Sequence, residues 1–555
     1  MARLSSPVSE LSRSYDVVVI GSGYGGGVAA VHFASAGKAV AIIERGREVQ
    51  TGQFPSRFPE LRKELRVSGS RMSSGLETGL YDIRIGSDIH VLVGCGLGGG
   101  SLVNAGVMLR PDDRVFEDPI WPGQIRQDGT LEQGFRRAAH WLRPSSDPEA
   151  RTQTKFQALD AASSALRVSP IAPTVAVSFA DTVNPAGVAQ PACTRCGDCC
   201  SGCNVGAKNT VALTYLSEAV RRGARCFTEL KVLNISRNRG AGRRWIATLE
   251  RTGASDKGAC EPLTLQADIV VVAAGSLGST EILLRSREAG LALSDALGTR
   301  FSANGDIIAF GLGANRPVRA VGIGHPPPDG LAPVGAAVSG QIEIDDPGDL
   351  CAEIRIQEGV LPSALAPLLP AIFVPNGRIL GAIQSLINGV YKGPLASLQT
   401  FFAVSHDSAS GRMRLDGDRL AIDWPGAKDE PVYRRLDEHL SKLVGELGGA
   451  YVKNPLAGTV MGHQPATAHP LGGCPMGSDP KTAVVDHMGR VFDAARGGSA
   501  VHEGLYVIDG SIIPRSLGVN PLFTITALAE RAMIHVRATP DLTASPMRSA
   551  DRISL

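Results

Sequence analysis

Near the N-terminus the chain sets Val17-Val18-Val19-Ile20, a continuous β-branched run, immediately before a cluster of glycines. Such a run suits a strand buried on both faces of a parallel sheet. Gly21-Ser22-Gly23-Tyr24-Gly25-Gly26 follows, then a helical stretch over residues 27–36 that Gly37 ends. Residues 39–43 predict a second strand, and Glu44 closes it 23 residues after Gly21. Strand, glycine turn, helix, strand and acid in this order form a dinucleotide-binding fingerprint. Gly21 permits the tight turn, Gly23 lets backbone N–H groups approach a pyrophosphate, and Gly26 lets helix pack on strand. Glu44 is placed to accept hydrogen bonds from the adenosine ribose. This segment alone fits FAD and NAD equally.

Two later passages repeat the pattern. Residues 267–286 read as a buried strand, a glycine turn and a helix from about Ser279 or Thr280; residues 504–536 read as a strand, a polar turn with Asp509, and a helix from about Asn520. Three returns to one sheet, with long stretches between them, fit a flavin-binding fold better than a compact NAD domain. The intervening chain holds strand-like pieces at 341–346, 352–357 and 412–424 and a Pro/Gly-rich passage at 316–340. The expected fold class is α/β (α+β overall), a Rossmann-type FAD-binding domain interleaved with a substrate domain on a mostly antiparallel sheet. The FAD domain takes 1–115, 205–300 and 465–545. The substrate domain takes 116–204 and 301–464, leaving 546–555 as a tail.

Composition narrows the classes. The 555 residues are 43% hydrophobic and 20% charged, an ordinary globular balance. Lys+Arg 56 against Asp+Glu 54 leaves +2, which argues against nucleic acid as a partner. The 65 glycines fit a chain whose backbone approaches a nucleotide closely. The first fourteen residues are polar, so a cytoplasmic protein is expected. The nearest candidate for a membrane span, the uncharged residues 359–377, is broken by Pro362, Pro367, Pro370 and Pro375 and does not span a bilayer. Apolar residues 359–390 read as a pocket wall or a lid for a bulky apolar alcohol drawn from a membrane surface.

Cys193, Cys196, Cys199 and Cys203 stand at C-x2-C-x2-C-x3-C, with Cys200 as an extra. The spacing matches the bacterial ferredoxin run, except that Asn204 replaces the proline after the last cysteine. One iron–sulfur cluster, a [4Fe-4S] type, a zinc ion on four thiolates, and a metal-free reduced loop are three readings of this run.

Residues 90–109, with a glycine-rich stretch before Ser101-x-x-Asn104, and residues 469–477 and 509–531 together resemble the glucose–methanol–choline (GMC) oxidoreductases, most closely the cholesterol-oxidase-like branch. The Asn304-Gly305-Asp306 triplet opens the substrate-domain passage. The resemblance spans nearly the whole chain. It implies that Gly21, Gly23, Gly26 and Glu44 bind the ADP half of FAD, and that Gly100 and Asn104 lie against the isoalloxazine and ribityl region. It places the backbone of Val232 at the adenine, Asp509 and Gly510 at the ribityl and pyrophosphate end, and Leu522 near the flavin pyrimidine. Ala105 and Val107 depart from the Gly and Met often found there. His90 leaves covalent flavin attachment open.

By the same resemblance His469 and Asn520 face the substrate carbinol. Alcohol oxidation removes the hydroxyl proton while a hydride passes from carbon to flavin. An imidazole suits the first task at neutral pH, and a side-chain amide stabilises the developing alkoxide. Asn520 precedes Pro521, which holds it at the turn before a helix. His463, His487 and His502 are weaker rivals to His469. Glu358 is the candidate for moving a proton between ring carbons after oxidation, with Glu353 as the rival position. The expected activity is oxidation of a secondary alcohol, a 3β-hydroxysterol in the first place, with O2 or a quinone or protein acceptor. The alternative is a GMC dehydrogenase for another bulky alcohol, passing electrons to its acceptor through the cluster.

Overall fold

The computed structural model describes residues 3–69, 72–253, 262–368, 391, 394–453 and 464–538. Most of the expected lid, His463 and the 546–555 tail lie outside these residues.

The chain opens with β1 (Ser14–Ile20), α1 (Tyr24–Ser35) and β2 (Val40–Ile43). After several short helices and strands come the longer helices α2 (Thr130–Leu142) and α3 (Thr154–Ser163). The chain then returns with β3 (Arg225–Phe227), β4 (Leu230–Arg237), β5 (Trp245–Arg251) and β6 (Leu263–Val272), followed by α4 (Gly275–Glu288). Next it builds β7 (Ile307–Leu312), β8 (Gln341–Ile344), β9 (Ile354–Gly359) and β10 (Gln399–Val404), then α5 (Pro431–Glu446) and β11 (Ala450–Lys453). It ends with β12 (Val501–Val507) and α6 (Leu522–Arg537).

β3, β2, β1, β6 and β12 pair in parallel in that order, and β5 and β4 extend the sheet antiparallel from β6. The apolar runs explain why both faces are covered. Val17, Val19, Val40, Ile42 and Val271 enter one core with α1 and α6, whereas Val18, Ile20, Ala41, Ile43, Val270 and Val272 enter another with α4. Period-two alternation therefore feeds two apolar layers from one run.

The second sheet, ordered β8-β9-β10-β7-β11, is antiparallel throughout. α3 and α5 cover one face, burying Ile354, Ile356, Phe401, Ala403, Leu436 and Leu440. The fold class is the expected one. α2 packs on α6. Its small residue makes this fit, since a Cβ on Gly134 would collide with the Ala527 carbonyl.

Three helix starts differ from expectation. α1 begins at Tyr24 and takes Gly25, Gly26 and Gly27 inside. α4 begins at Gly275, because the distant Asp509 carboxylate accepts the Gly275 N–H at 2.8 Å. α6 begins at Leu522, leaving Asn520 outside. Among the described residues no helix is long and apolar enough to cross a membrane.

Candidate active site

The glycine turn after β1 is held by backbone rather than by side chains. Gly21 has φ +93, and a Cβ there would strike the Ala273 carbonyl at the end of β6. A Cβ on Gly25 would strike the Ile508 carbonyl after β12, and one on Gly26 the Gly21 carbonyl. At Gly23 and Gly100, by contrast, a Cβ would meet nothing within 4 Å. The N-terminus of α1 has no side-chain cap, so its first N–H groups are available to an anion. Glu44 is buried at the end of β2, its Oε2 accepting from Ser22 Oγ at 2.6 Å and its Oε1 from the Gly46 N–H at 2.9 Å. Asn104 Nδ2 donates to the Tyr24 hydroxyl at 2.8 Å, while the buried Asn104 Oδ1 has no protein partner. An open glycine face, an uncapped helix start, an aimed carboxylate and an orphaned amide oxygen fit a dinucleotide cofactor.

Leu230 N–H donates to the Glu44 carbonyl at 3.0 Å, so β4, with Val232, starts beside Glu44. Leu522 is buried in the first turn of α6. Asp509 plays a part that the sequence did not suggest. Its carboxylate accepts from Gly275 N–H, Ser279 Oγ, Ser511 N–H and Ser511 Oγ at 2.5 to 2.8 Å. Four protein donors meet that side chain, which clasps the α4 turn. Gly510 accepts from the Gly472 N–H at 3.1 Å, stitching the turn to the segment after His469.

His469 and Asn520 are held by one turn. Asn304, with φ +58, donates from Nδ2 to the Val519 carbonyl and accepts from the Leu517 N–H, each at 2.8 Å. Two residues on, buried Asp306 accepts from the Ala468 N–H at 2.8 Å, and its Oδ2 lies 3.2 Å from His469 Nδ1. Asp407 fixes the turn itself, accepting from Ser302 Oγ and from the N–H groups of Ala303 and Gly305. The Asn520 amide does not cap α6. Instead Asn520 Oδ1 accepts from Gln357 Nε2 at 2.6 Å, and Gln357 Nε2 also donates to Gln341 Oε1 at 2.9 Å. The triplet Asn304–Asp306 was visible in the sequence. Its clamping roles, Asp407 and Gln357 were not, because each acts across a long sequence separation.

Glu358 does not stand beside this pair. Ile354, Ile356 and Glu358 share the face of β9 that α3 and α5 cover, while Gln357 takes the other. Lys155 Nζ from α3 lies 2.6 and 2.7 Å from the two Glu358 oxygens, and the N–H groups of Ser339 and Gly340 donate to Oε1. Burial raises the Glu358 pKa and the Lys155 ammonium opposes that rise. The residue expected as the proton shuttle is thus held in a buried ion pair with Lys155. The strand alternation Ile354-x-Ile356-x-Glu358 carried that signal. Glu353 pairs with Arg114.

Two of the rival histidines, His487 and His502, have partners within the fold. Buried His502 Nε2 lies 2.7 Å from the Ala292 carbonyl. His487 joins Asp128 and His535 in a group whose ligand atoms lie within 4.8 Å of one another. The Arg531 guanidinium contacts both Asp128 and His487 there, a cation where a metal would have to sit. Among the described residues this is the one such group, so the sulfurs of Cys193, Cys196, Cys199 and Cys203 do not close around a single ion. That corrects the zinc reading, since tetrahedral thiolates at about 2.3 Å from zinc stand only about 4 Å apart. The expected iron–sulfur cluster likewise finds no support, as no cluster-like group of cysteines is present among the described residues.

The sequence profile of the GMC oxidoreductase N-terminal part matches residues 16–302, and that of the C-terminal part matches 438–529. A cholesterol oxidase of Acinetobacter baumannii is 27% identical over 555 residues, covering 94% of both chains. A cholesterol oxidase of Mycobacterium tuberculosis is 26% identical, covering 94% of this chain and 91% of its own. A long-chain-alcohol oxidase of Arabidopsis thaliana is 24% identical over 93% of this chain and 66% of its own. Among solved structures, pyridoxine 4-oxidase from Mesorbium loti superposes with a TM-score of 0.58 at 16% identity, covering 94% and 99% of the two chains. That likeness concerns the fold alone. With the dinucleotide cradle and both family profiles in place, the chain belongs to the GMC oxidoreductases, a family of FAD-dependent enzymes.

Proposed function

We propose that this oxidoreductase oxidises a bulky secondary alcohol, a 3β-hydroxysterol first among them, at His469 and Asn520. The carrying observation is the Asn304–Asp306 turn, which holds the segments of both residues at once. FAD, bound along Gly21, Gly23, Glu44, Gly100 and Asn104, supplies the hydride acceptor. Asp306 Oδ2 lies 3.2 Å from His469 Nδ1, a nitrogen with no hydrogen bond of its own; a small turn of the ring would let the carboxylate accept the Nδ1 proton and leave Nε2 as the lone-pair nitrogen for the substrate hydroxyl. Asn520, whose Oδ1 accepts from Gln357 Nε2 at 2.6 Å and whose Nδ2 donates to Gln357 Oε1 at 3.4 Å, presents its second Nδ2–H to the alcohol oxygen as negative charge grows there. The sterol reading is supported by two cholesterol oxidases whose alignments run the length of the chain. The long-chain-alcohol oxidase supports a second reading, a long primary alcohol in the same site. Because Glu358 is locked to Lys155, we propose oxidation without double-bond migration.

The test is anaerobic addition of cholesterol, then of a long-chain alcohol, to purified protein while the flavin absorbance is recorded. Bleaching by cholesterol, with a product lacking conjugated-enone absorbance, is the expected result. Bleaching by the long-chain alcohol alone would replace the sterol by the second reading, and bleaching by neither would overturn the alcohol assignment. Admitting air afterwards tells O2 from another acceptor.

A further inference from the structure

Among the described residues two lysines are buried, Lys155 and Lys208, each 1% exposed. The fold treats them differently. Lys155 meets the Glu358 carboxylate. Among the same residues Lys208 meets no carboxylate; its Nζ donates to the carbonyls of Leu102, Asn104 and Cys199 at 2.8, 2.9 and 2.8 Å. A neutral amine has only two N–H groups, so three acceptors at these distances call for the ammonium. Burial lowers the Lys208 pKa, and hydrogen bonds from a charged donor to three carbonyls oppose that fall. A buried charge without a counter-ion is costly to keep, and the alcohol chemistry above makes no use of it.

Two of the three acceptors belong to the glycine-rich loop of Gly100 and Asn104. That loop is pinned from both sides. Ser22 Oγ, itself bound to Glu44, accepts from the Gly98 N–H at 2.9 Å. Ser101 Oγ donates to the Gly98 carbonyl at 2.6 Å and accepts from the Val211 N–H at 3.0 Å. Residues 98–104 and 209–211 are uncharged, so Lys208 alone brings a full charge to this side of the loop. A peptide unit is planar and trans, so tying the Asn104 carbonyl oxygen to Lys208 turns the Ala105 N–H the opposite way. The cation thus orients a backbone donor as well as lending its field. It also fixes the backbone from which Asn104 aims its unpartnered Oδ1.

We propose that Lys208 is a positioning residue for the flavin loop, and that its fixed positive charge makes the bound flavin easier to reduce. The inference rests on the reading above that Gly100 and Asn104 lie along FAD. A hydride leaves the carbinol carbon with its electron pair and adds one negative charge to the flavin, while the hydroxyl proton goes to His469. A cation already fixed behind the loop offsets that charge without having to reorient. The ammonium keeps its own protons throughout.

The experiment compares the flavin-loaded parent with Lys208→Met, which removes charge and bonds, and with Lys208→Gln, which keeps N–H donors without the charge. Circular dichroism and flavin content report on the fold. Two readouts use no alcohol: the reduction potential against a reference dye, and the Kd for sulfite, an anion that adds to oxidised flavin. Both variants should keep flavin and bind sulfite about 10-fold more weakly. Their potentials should lie about 30 mV below the parent, the equivalent of that factor for a two-electron couple. If only Lys208→Gln keeps flavin, its potential decides in the same way. Parent values in the variants overturn the proposal, and so does loss of fold or flavin in both, which would make Lys208 a structural peg. A parent that holds no flavin overturns the cofactor reading and this proposal with it. Shifted potentials in a protein that oxidises no alcohol would sustain the role of Lys208 and overturn the proposed function instead.

Discussion

The Lys155–Glu358 pair offers a sharp test of how the substrate sheet is built. Both side chains are 1% exposed, and four hydrogen bonds converge on the Glu358 carboxylate. Lys155→Met removes the ammonium and leaves a buried carboxylate with only the Ser339 and Gly340 N–H groups. Removing one partner of such a pair costs about 3–5 kcal/mol. At roughly 2 °C per kcal/mol for a large domain, the apparent Tm should fall by about 6–10 °C at neutral pH. The pH dependence follows from the direction of the shift. Burial raises the Glu358 pKa, and without Lys155 nothing cationic opposes it. The folded variant therefore takes up a proton at a higher pH than its unfolded chain. Its deficit is full above the raised pKa and shrinks as the pH falls through it. Lys155→Met combined with Glu358→Leu should be more stable than Lys155→Met alone, since no uncompensated charge remains. Differential scanning fluorimetry across pH reads all three proteins. A single variant as stable as the parent at neutral pH would show that the carboxylate is not buried against Lys155.

Three further outcomes are expected. Gly23→Ala should fold and lose flavin, because a Cβ there meets open space, whereas Gly25→Ala should fail to fold, because its Cβ collides with the Ile508 carbonyl; flavin content and circular dichroism separate the two, and equal flavin in Gly23→Ala and the parent refutes the cradle. Asp306→Asn should lower kcat about 10²-fold by removing the carboxylate that stands 3.2 Å from His469 Nδ1, and Gln357→Leu about 10-fold by freeing the Asn520 amide, each with KM little changed; a change confined to KM would count against positioning. Burial, with Arg515 nearby, holds His406 down at about 4 against 6.5. The folded chain keeps that imidazole neutral, so its contribution of about 3 kcal/mol is full above pH 6.5 and is lost as pH falls toward 4. His406→Gln should flatten this acid limb in urea midpoints, and an unchanged limb refutes the assignment.

The sequence by itself determined the parallel sheet. Continuous runs such as Val17–Ile20 and the glycine spacing that follows are local, and their period and sterics admit few alternatives. It also carried the histidine and asparagine of the candidate pair, because family motifs are contiguous. The tertiary structure decided the features that join distant segments. The start of α4 depends on Asp509, some 230 residues away, and no local propensity reveals that cap. The face on which Glu358 stands follows from strand alternation, yet its partner Lys155 comes from a helix about 200 residues earlier. Likewise Asp306 and Asp407 acquire their positioning roles only where distant segments meet at the Asn304 turn, and Gln357 only where β9 meets Asn520. Buried polar groups must find partners wherever the fold supplies them, and that choice is made in three dimensions rather than along the chain.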